Sequence, residues 1–182
     1  MTESTPSVPK KHHHQTPLWI MYLCAALLLA LDQWTKFWVV ENLTLGAPVP
    51  VVEPFLFYRY VTNDGAAFSI LRGQKWILSL IAGGVSCWIL FYASRLKQRQ
   101  PMHIFALAAI LAGALGNLID RLRLGYVVDF VDLHYKGGNI WPIFNVADIC
   151  INLGVALLIL YFLLYPEEEE ATSETESTSH TT

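Results

Sequence analysis

The chain has 182 residues, of which 54% are hydrophobic and 15% charged, with a formal net charge of -3 and a mean hydropathy of +0.40. These values exclude an ordinary soluble domain and place the chain in a membrane. Its three cysteines, Cys24, Cys87 and Cys150, all fall in apolar segments; an odd number without metal-ligand spacing argues against a disulfide framework or a zinc site, and they read as small core residues.

Residues 1–16 are polar and Pro/Ser/Thr-rich and are expected to be a disordered head, with His12, His13 and His14 a solvated run in preference to a metal site. The first of four apolar stretches, Leu18 to Val40, exceeds a signal-peptide h-region, lacks a small-residue cleavage site and is read as a retained anchor. Within it Asp32 and Lys36 are four apart and share a helical face. They serve either as a helix-end ion pair with Lys36 reaching toward water or as groups that position a substrate. The following segment, about 41–75, contains VVEPFLFYRYVTN, rich in the β-branched and aromatic residues of strands.

The second stretch runs from Trp76 to Ala93 and is followed by SRLKQRQP, whose Arg95, Lys97 and Arg99 are unopposed by acid. With Lys10 and Lys11 of the head, these put the loop and both termini in the cytoplasm by the positive-inside rule. Lys36, Arg59, Arg72, Lys75, Arg121, Arg123 and Lys136 lie toward the opposite side but are interleaved with acids. In the third stretch, Ile104 to Ile119, Ala109, Gly113 and Asn117 recur at helical spacing and continue into Asp120, while Asn117 and Arg121 are four apart. That face points into the bundle, unless Asp120 and Arg121 merely end the helix at the interface.

The second outer segment, about 120–145, contains GYVVDFVDLHY, whose period of two puts Val127, Asp129, Val131 and Leu133 on one face. Asp132 and His134 then fall on the other and read as solvated. Open strand edges are not tolerated in lipid, so the two outer segments should pair with each other at or above the outer interface. In the fourth stretch, Val146 to Tyr165, Asn145, Asp148, Asn152 and Ala156 form one stripe, with Asn145 suited to cap the helix and Asp148 in its first turn. Residues 166–182 form an acidic tail expected to be disordered and cytoplasmic. Residues 17–165 then make one domain, a membrane all-α fold with a small β element.

Asp129 lies between apolar neighbours that disfavour its ionisation, whereas a helix terminus favours that of Asp148. Brought together by the turn residues Gly137, Gly138 and Pro142, the two carboxyl groups would share one proton, one acting as base toward water and the other as acid, the apparatus of aspartic peptide hydrolysis. Sequence permits that contact without demanding it.

DQWTK at 32–36, NDGAAFS at 63–69, GNLIDR at 116–121, VVDF at 127–130 and FNVAD at 144–148 occur in this order, and over about Pro17 to Tyr165 the chain resembles the lipoprotein signal peptidases, or signal peptidase II. The resemblance implies a four-transmembrane-helix bundle with an extracytoplasmic β-cradle. It implies an aspartic endopeptidase of the bacterial inner membrane that cleaves the signal peptide from diacylglyceryl-modified prolipoproteins immediately before the lipidated cysteine. Asp129 and Asp148 take the catalytic positions by this likeness. Asn63, Gly65, Asn117, Asp120, Arg121 and Asn145 would line or support the site, and Asp32 and Lys36 would support or position. The implied partners are the lipidated precursor and membrane lipid, with the active site at the periplasmic face; no metal, cofactor or nucleic acid is expected, and a monomer is favoured.

Two rivals remain at this level. A metal-dependent membrane transferase could use Asp129, Asp132 and Asp120 on Mg²⁺, although Asp129 and Asp132 are an odd number apart on a strand. A small transporter or assembly factor could use the buried carboxylates to relay protons.

Overall fold

The computed structural model describes residues 15–65, 71, 73–97, 99–135 and 138–166. The head up to His14, the tail from Glu167, Lys136 and Gly137, and Ala66 to Ile70, which include most of the NDGAAFS string, lie outside the described residues. In chain order the elements are α1 (Leu18–Asn42), β1 (Pro48–Val52), β2 (Leu56–Asn63), α2 (Lys75–Arg95), α3 (Pro101–Arg123), β3 (Val127–Tyr135), β4 (Gly138–Asn139) and α4 (Val146–Leu164).

All four helices are long and apolar enough to cross a membrane. Their large side chains mostly face outward, as Leu27, Phe37, Leu80, Phe91 and Leu163 do, which suits a lipid solvent that offers no penalty for exposed hydrocarbon. The helix at the centre is α3, packed against α1, α2 and α4. Its sequence explains why: Ala106, Ala108, Ala109, Ala112, Gly113, Ala114 and Gly116 are all buried and let three neighbours approach its backbone. A Cβ added at Gly113 would overlap the Ala147 carbonyl oxygen and lie 2.6 Å from Ile151 Cγ1, and one at Gly154 would lie 2.8 Å from the Ala106 carbonyl oxygen. The α3–α4 interface is therefore backbone against backbone.

At one end of the bundle the chain start meets the α2–α3 loop, where the Thr16 N–H donates to the Arg99 carbonyl at 2.9 Å and the Gln15 amide to the Lys97 carbonyl at 2.8 Å. The sheet covers the other end. Its order is β1-β2-β3-β4, each pair antiparallel. The two outer segments do pair, through β2 and β3, as the strand patterns predict.

Four details differ from the sequence reading. The run VVEPFLFYRYVTN is a hairpin, β1 and β2 turning at Glu53 and Pro54, where the fixed φ of proline suits a turn. The third span continues through Asp120 and Arg121 to Arg123, so the outer segment begins later than residue 120; Arg121 and Arg123 complement the helix C-terminus, and Gly125, at φ 87, ends it by donating to the Arg121 carbonyl. Cys87 is exposed on α2, facing outward and not into a core.

Asp132 is the fourth. It is fully buried, not solvated, with its oxygens 2.9 Å from Arg59 Nε and 2.9 Å from His134 Nε2. The alternation of β3 says nothing about Arg59, which arrives from β2, and a carboxylate inside the sheet is tolerable only with such partners.

Gly113→Ala should lower the unfolding free energy by about 1–3 kcal/mol, because the atom that must yield is the α4 backbone. Thermal unfolding of the purified protein in detergent measures this, with an unshifted midpoint showing that the two helices can separate without cost.

Candidate active site

The first turn of α4 leaves N–H groups that its own helix cannot satisfy. Asn145 is the N-cap: its side-chain oxygen accepts from the Asp148 N–H at 2.9 Å, and Asp148 Oδ2 accepts the Asn145 N–H at 3.2 Å, a reciprocal capping box. A third donor, the Ala147 N–H, goes to Asp32 Oδ1 of α1 at 2.8 Å. Gly116 leaves room for this carboxylate, since a Cβ there would lie 2.5 Å from Asp32 Oδ2.

The cap side chain also faces the sheet. Asn145 Nδ2 donates to Asp129 Oδ1 at 2.6 Å and lies within hydrogen-bond distance of Asn117 Oδ1 and the Val128 carbonyl. Asn117 Nδ2 in turn donates to Asp148 Oδ1 at 2.8 Å. Asn145 thus donates to both carboxyls, by its amide to Asp129 and by its backbone N–H to Asp148, and the Asn117 amide braces it. From β2, Asn63 Nδ2 donates to Asp129 Oδ2 at 2.8 Å, with its own oxygen held by the Gly65 N–H at 2.9 Å. Arg121 reaches the Gly65 carbonyl at 3.2 Å and the Asn117 carbonyl at 3.4 Å, within the fields of Asp148, Asp129 and Asp120.

Beneath this layer, Lys36 is 3% exposed. Its ammonium lies 2.9 Å from Asp32 Oδ2, 3.0 Å from Asp120 Oδ2 and 3.0 Å from Asn117 Oδ1, so each of its three N–H donors has an acceptor. Of the two readings open for the Asp32–Lys36 pair, the one in which Lys36 extends to water is excluded. Asp120 also accepts the Val128 N–H at 3.1 Å, which fixes where β3 starts relative to α3.

The structure therefore brings together Asp32, Lys36, Asn63, Gly65, Asn117, Asp120, Arg121, Asp129, Asn145 and Asp148. It does not bring in Asn152, which is exposed; the buried face of α4 is Ala147, Cys150 and Gly154. Asp148 is itself only half-buried beside that face and meets its partners because it lies at the head of the helix; one turn further along, Asn152 faces outward. Gln33 was not legible as a site residue, yet its amide donates to Asp32 Oδ2 at 3.1 Å and Asp120 Oδ1 at 3.0 Å. Its one signal is an amide lying between Asp32 and Lys36 in an otherwise apolar span.

Electrostatics separates the two aspartates. The Asp129 carboxyl is pushed up from 3.8 to about 7, first by burial and then by the charge of Asp148, against donation from Asn63 and Asn145 and the attraction of Lys36. Near neutral pH this carboxyl can hold a proton beside a second carboxylate that accepts two N–H donors, a pair able to give and take protons at one place.

Four helices of membrane-crossing length around this acid–amide cluster define a multi-pass membrane protein with an acid–base centre at the sheet end of its bundle. Residues 24–164 match the signal peptidase (SPase) II family, and the chain belongs to that family of membrane proteases. It is 39% identical over 161 residues to the lipoprotein signal peptidase of Syntrophus aciditrophicus, covering 84% of this chain and 98% of the relative. It is 44% identical over 142 residues to that of Teredinibacter turnerae, covering 76% and 83%. Among solved structures, a bacterial membrane enzyme determined by the in meso method at 2.3 Å resolution superposes with a TM-score of 0.77 at 28% identity, covering 94% of this chain and all of that one.

The native state keeps a proton on Asp129 that the unfolded chain loses above about 4. Stability from this group is therefore greatest in acid and declines as pH rises from about 4 to about 7. In detergent, the melting temperature of Asp129→Asn should fall less steeply than the parent's across that window; parallel slopes would show that Asp129 titrates normally.

Proposed function

We propose that the chain is an aspartic endopeptidase that removes the signal peptide from diacylglyceryl-modified prolipoproteins, cutting immediately before the lipidated cysteine. The observation that carries this reading is that buried Asn145, at the head of a membrane span, donates to both carboxyls, from its side-chain amide to Asp129 Oδ1 and from its backbone N–H to Asp148 Oδ2. The name shared by the relatives, lipoprotein signal peptidase, supports the substrate class.

In this reading Asp148 takes a proton from a water, the resulting hydroxide adds to the scissile carbonyl carbon, and Asp129 gives its proton to the carbonyl oxygen. The tetrahedral diol then returns a proton to Asp129 while Asp148 protonates the departing nitrogen. The C–N bond breaks, and both carboxyls regain their starting states. Arg121, Asn63 and Asn117 hold the pair in register, and Lys36 offsets the charge of Asp32 and Asp120 below it. Asp120 and Asp132, which a divalent ion would need alongside Asp129, are engaged by Lys36 and by Arg59 and His134, which favours hydrolysis without a metal.

The lysine and arginine residues of the α2–α3 loop support a cytoplasmic location for that end of the bundle and for both termini. The sheet and the aspartates then lie at the outer face of a bacterial inner membrane. There the substrate's lipid stays in the bilayer and its signal helix lies beside the bundle, with the scissile bond at the depth of Asp148.

Asp129→Asn and Asp148→Asn should each lower cleavage of purified lipidated precursor at least a thousandfold while purifying as folded protein, and the parent should cleave in excess EDTA. Full cleavage by either variant removes that residue from the mechanism. Loss of parent activity in chelator, restored by Mg²⁺, replaces the mechanism altogether. The rate should also decline as pH rises beyond about 7, where Asp129 gives up its proton.

A further inference from the structure

The β2–β3 ladder holds an irregularity between its two halves. Leu56, Phe57 and Tyr58 pair with Leu133, Asp132 and Val131, whereas Val61, Thr62 and Asn63 pair with Asp129, Val128 and Val127. Three steps along β2 thus match two along β3, so Arg59 and Tyr60 together oppose Phe130, the arrangement of a β-bulge. Continuing the first register without the bulge would put Thr62 opposite Val127 in place of Asn63. A slip of one residue also turns every side chain beyond it to the other face of the sheet. Asn63 would then point away from Asp129.

A bulge gives up ladder pairing and needs something to hold it. Arg59 occupies it, and its Nε lies 2.9 Å from Asp132 Oδ2 across the strands. Asp132 is fully buried, with His134 Nε2 2.9 Å from its other oxygen, so the ion pair with Arg59 is shielded from water on the Asp132 side. On its outer side Arg59 is matched to Pro48 of β1, and the Tyr60 carbonyl accepts the Gly46 N–H at 2.8 Å, so the extra residue is held at both edges.

We infer that Arg59, through its ion pair with Asp132, is a positioning residue: it pins the bulge that sets Asn63 against Asp129. Their effect on the reaction passes through the register of one strand, and this role rests on the proposed catalytic use of Asp129.

The donation from Asn63 favours ionised Asp129. Its loss should therefore move the alkaline limb of the pH profile for cleavage upward. The other groups facing Asp129, namely Asp148, Lys36, Arg121 and Asn145, stay in place. The test compares kcat/KM against pH for the full-length parent, Asn63→Ala, Arg59→Met, and Arg59→Met combined with Asn63→Ala, using purified diacylglyceryl-modified precursor. Arg59→Met/Asp132→Leu removes both charges and covers the case in which an unpaired Asp132 prevents folding.

Asn63→Ala and both Arg59 variants should each raise the limb by about one pH unit, and combining Arg59→Met with Asn63→Ala should add nothing further. The parent profile in both Arg59 variants, an unmoved limb in Asn63→Ala, or additive shifts would overturn the inference. Additivity would mean that Arg59 acts by another route, such as the imidazole of His134. Full cleavage by Asp129→Asn would instead remove the functional reading, and this role with it.

Discussion

A single ammonium group buried between α1 and α3 holds the molecule's polar interior together. Lys36 reaches Asp32, Asp120 and Asn117, and each of these carries the connection onward. Asp32 caps the Ala147 N–H of α4, Asp120 accepts the Val128 N–H near the start of β3, and Asn117 donates to Asp148. A lone cation in a lipid-embedded bundle is expensive, and so are carboxylates without one. Each group is tolerable only because the others are present. The arrangement thereby fixes where α1, α3, α4 and the sheet meet, which apolar packing against a hydrocarbon solvent specifies poorly.

Above that base, the two aspartates are set apart by what surrounds them. Asp148 sits in a helix first turn and receives a backbone N–H and an amide N–H. Asp129 sits in a strand under valine and phenylalanine neighbours, and a buried carboxyl near a second negative charge keeps its proton to about 7. Two side chains of the same chemistry thus meet different surroundings, one buried in a strand and one in the first turn of a helix. The protein surrounds both with neutral amides from Asn63, Asn117 and Asn145. Amides can orient a carboxyl in either protonation state, whereas a cation in direct contact would strip its proton.

Much of this was legible in the sequence, for reasons that differ from residue to residue. The spans are visible because lipid demands a long apolar run, and Asn117, Asp120 and Asn145 stand out because polar groups in such runs are rare. The pairing of β2 with β3 follows from their composition and from the ban on open edges. Asp132 was misread because one strand's alternation cannot reveal a cation on its neighbour, and the bulge at Arg59 breaks the period on which such readings depend. Asn152 was misread because sharing a helical face with Asp148 does not place it at the helix head, where the sheet and α3 supply the partners. Gln33 gave almost no signal, since what matters is its position between two carboxylates on different helices.

The backbone-to-backbone seam between α3 and α4 has a consequence for biosynthesis. Asp148 and its cap Asn145 belong to the last helix in chain order, which lies against α3 through Gly113 and Gly154. A nascent chain with three helices in the bilayer therefore holds Asp129 without its counterpart. The contacts between the two acidic residues and Asn145 are therefore completed only once the last helix has docked against the third.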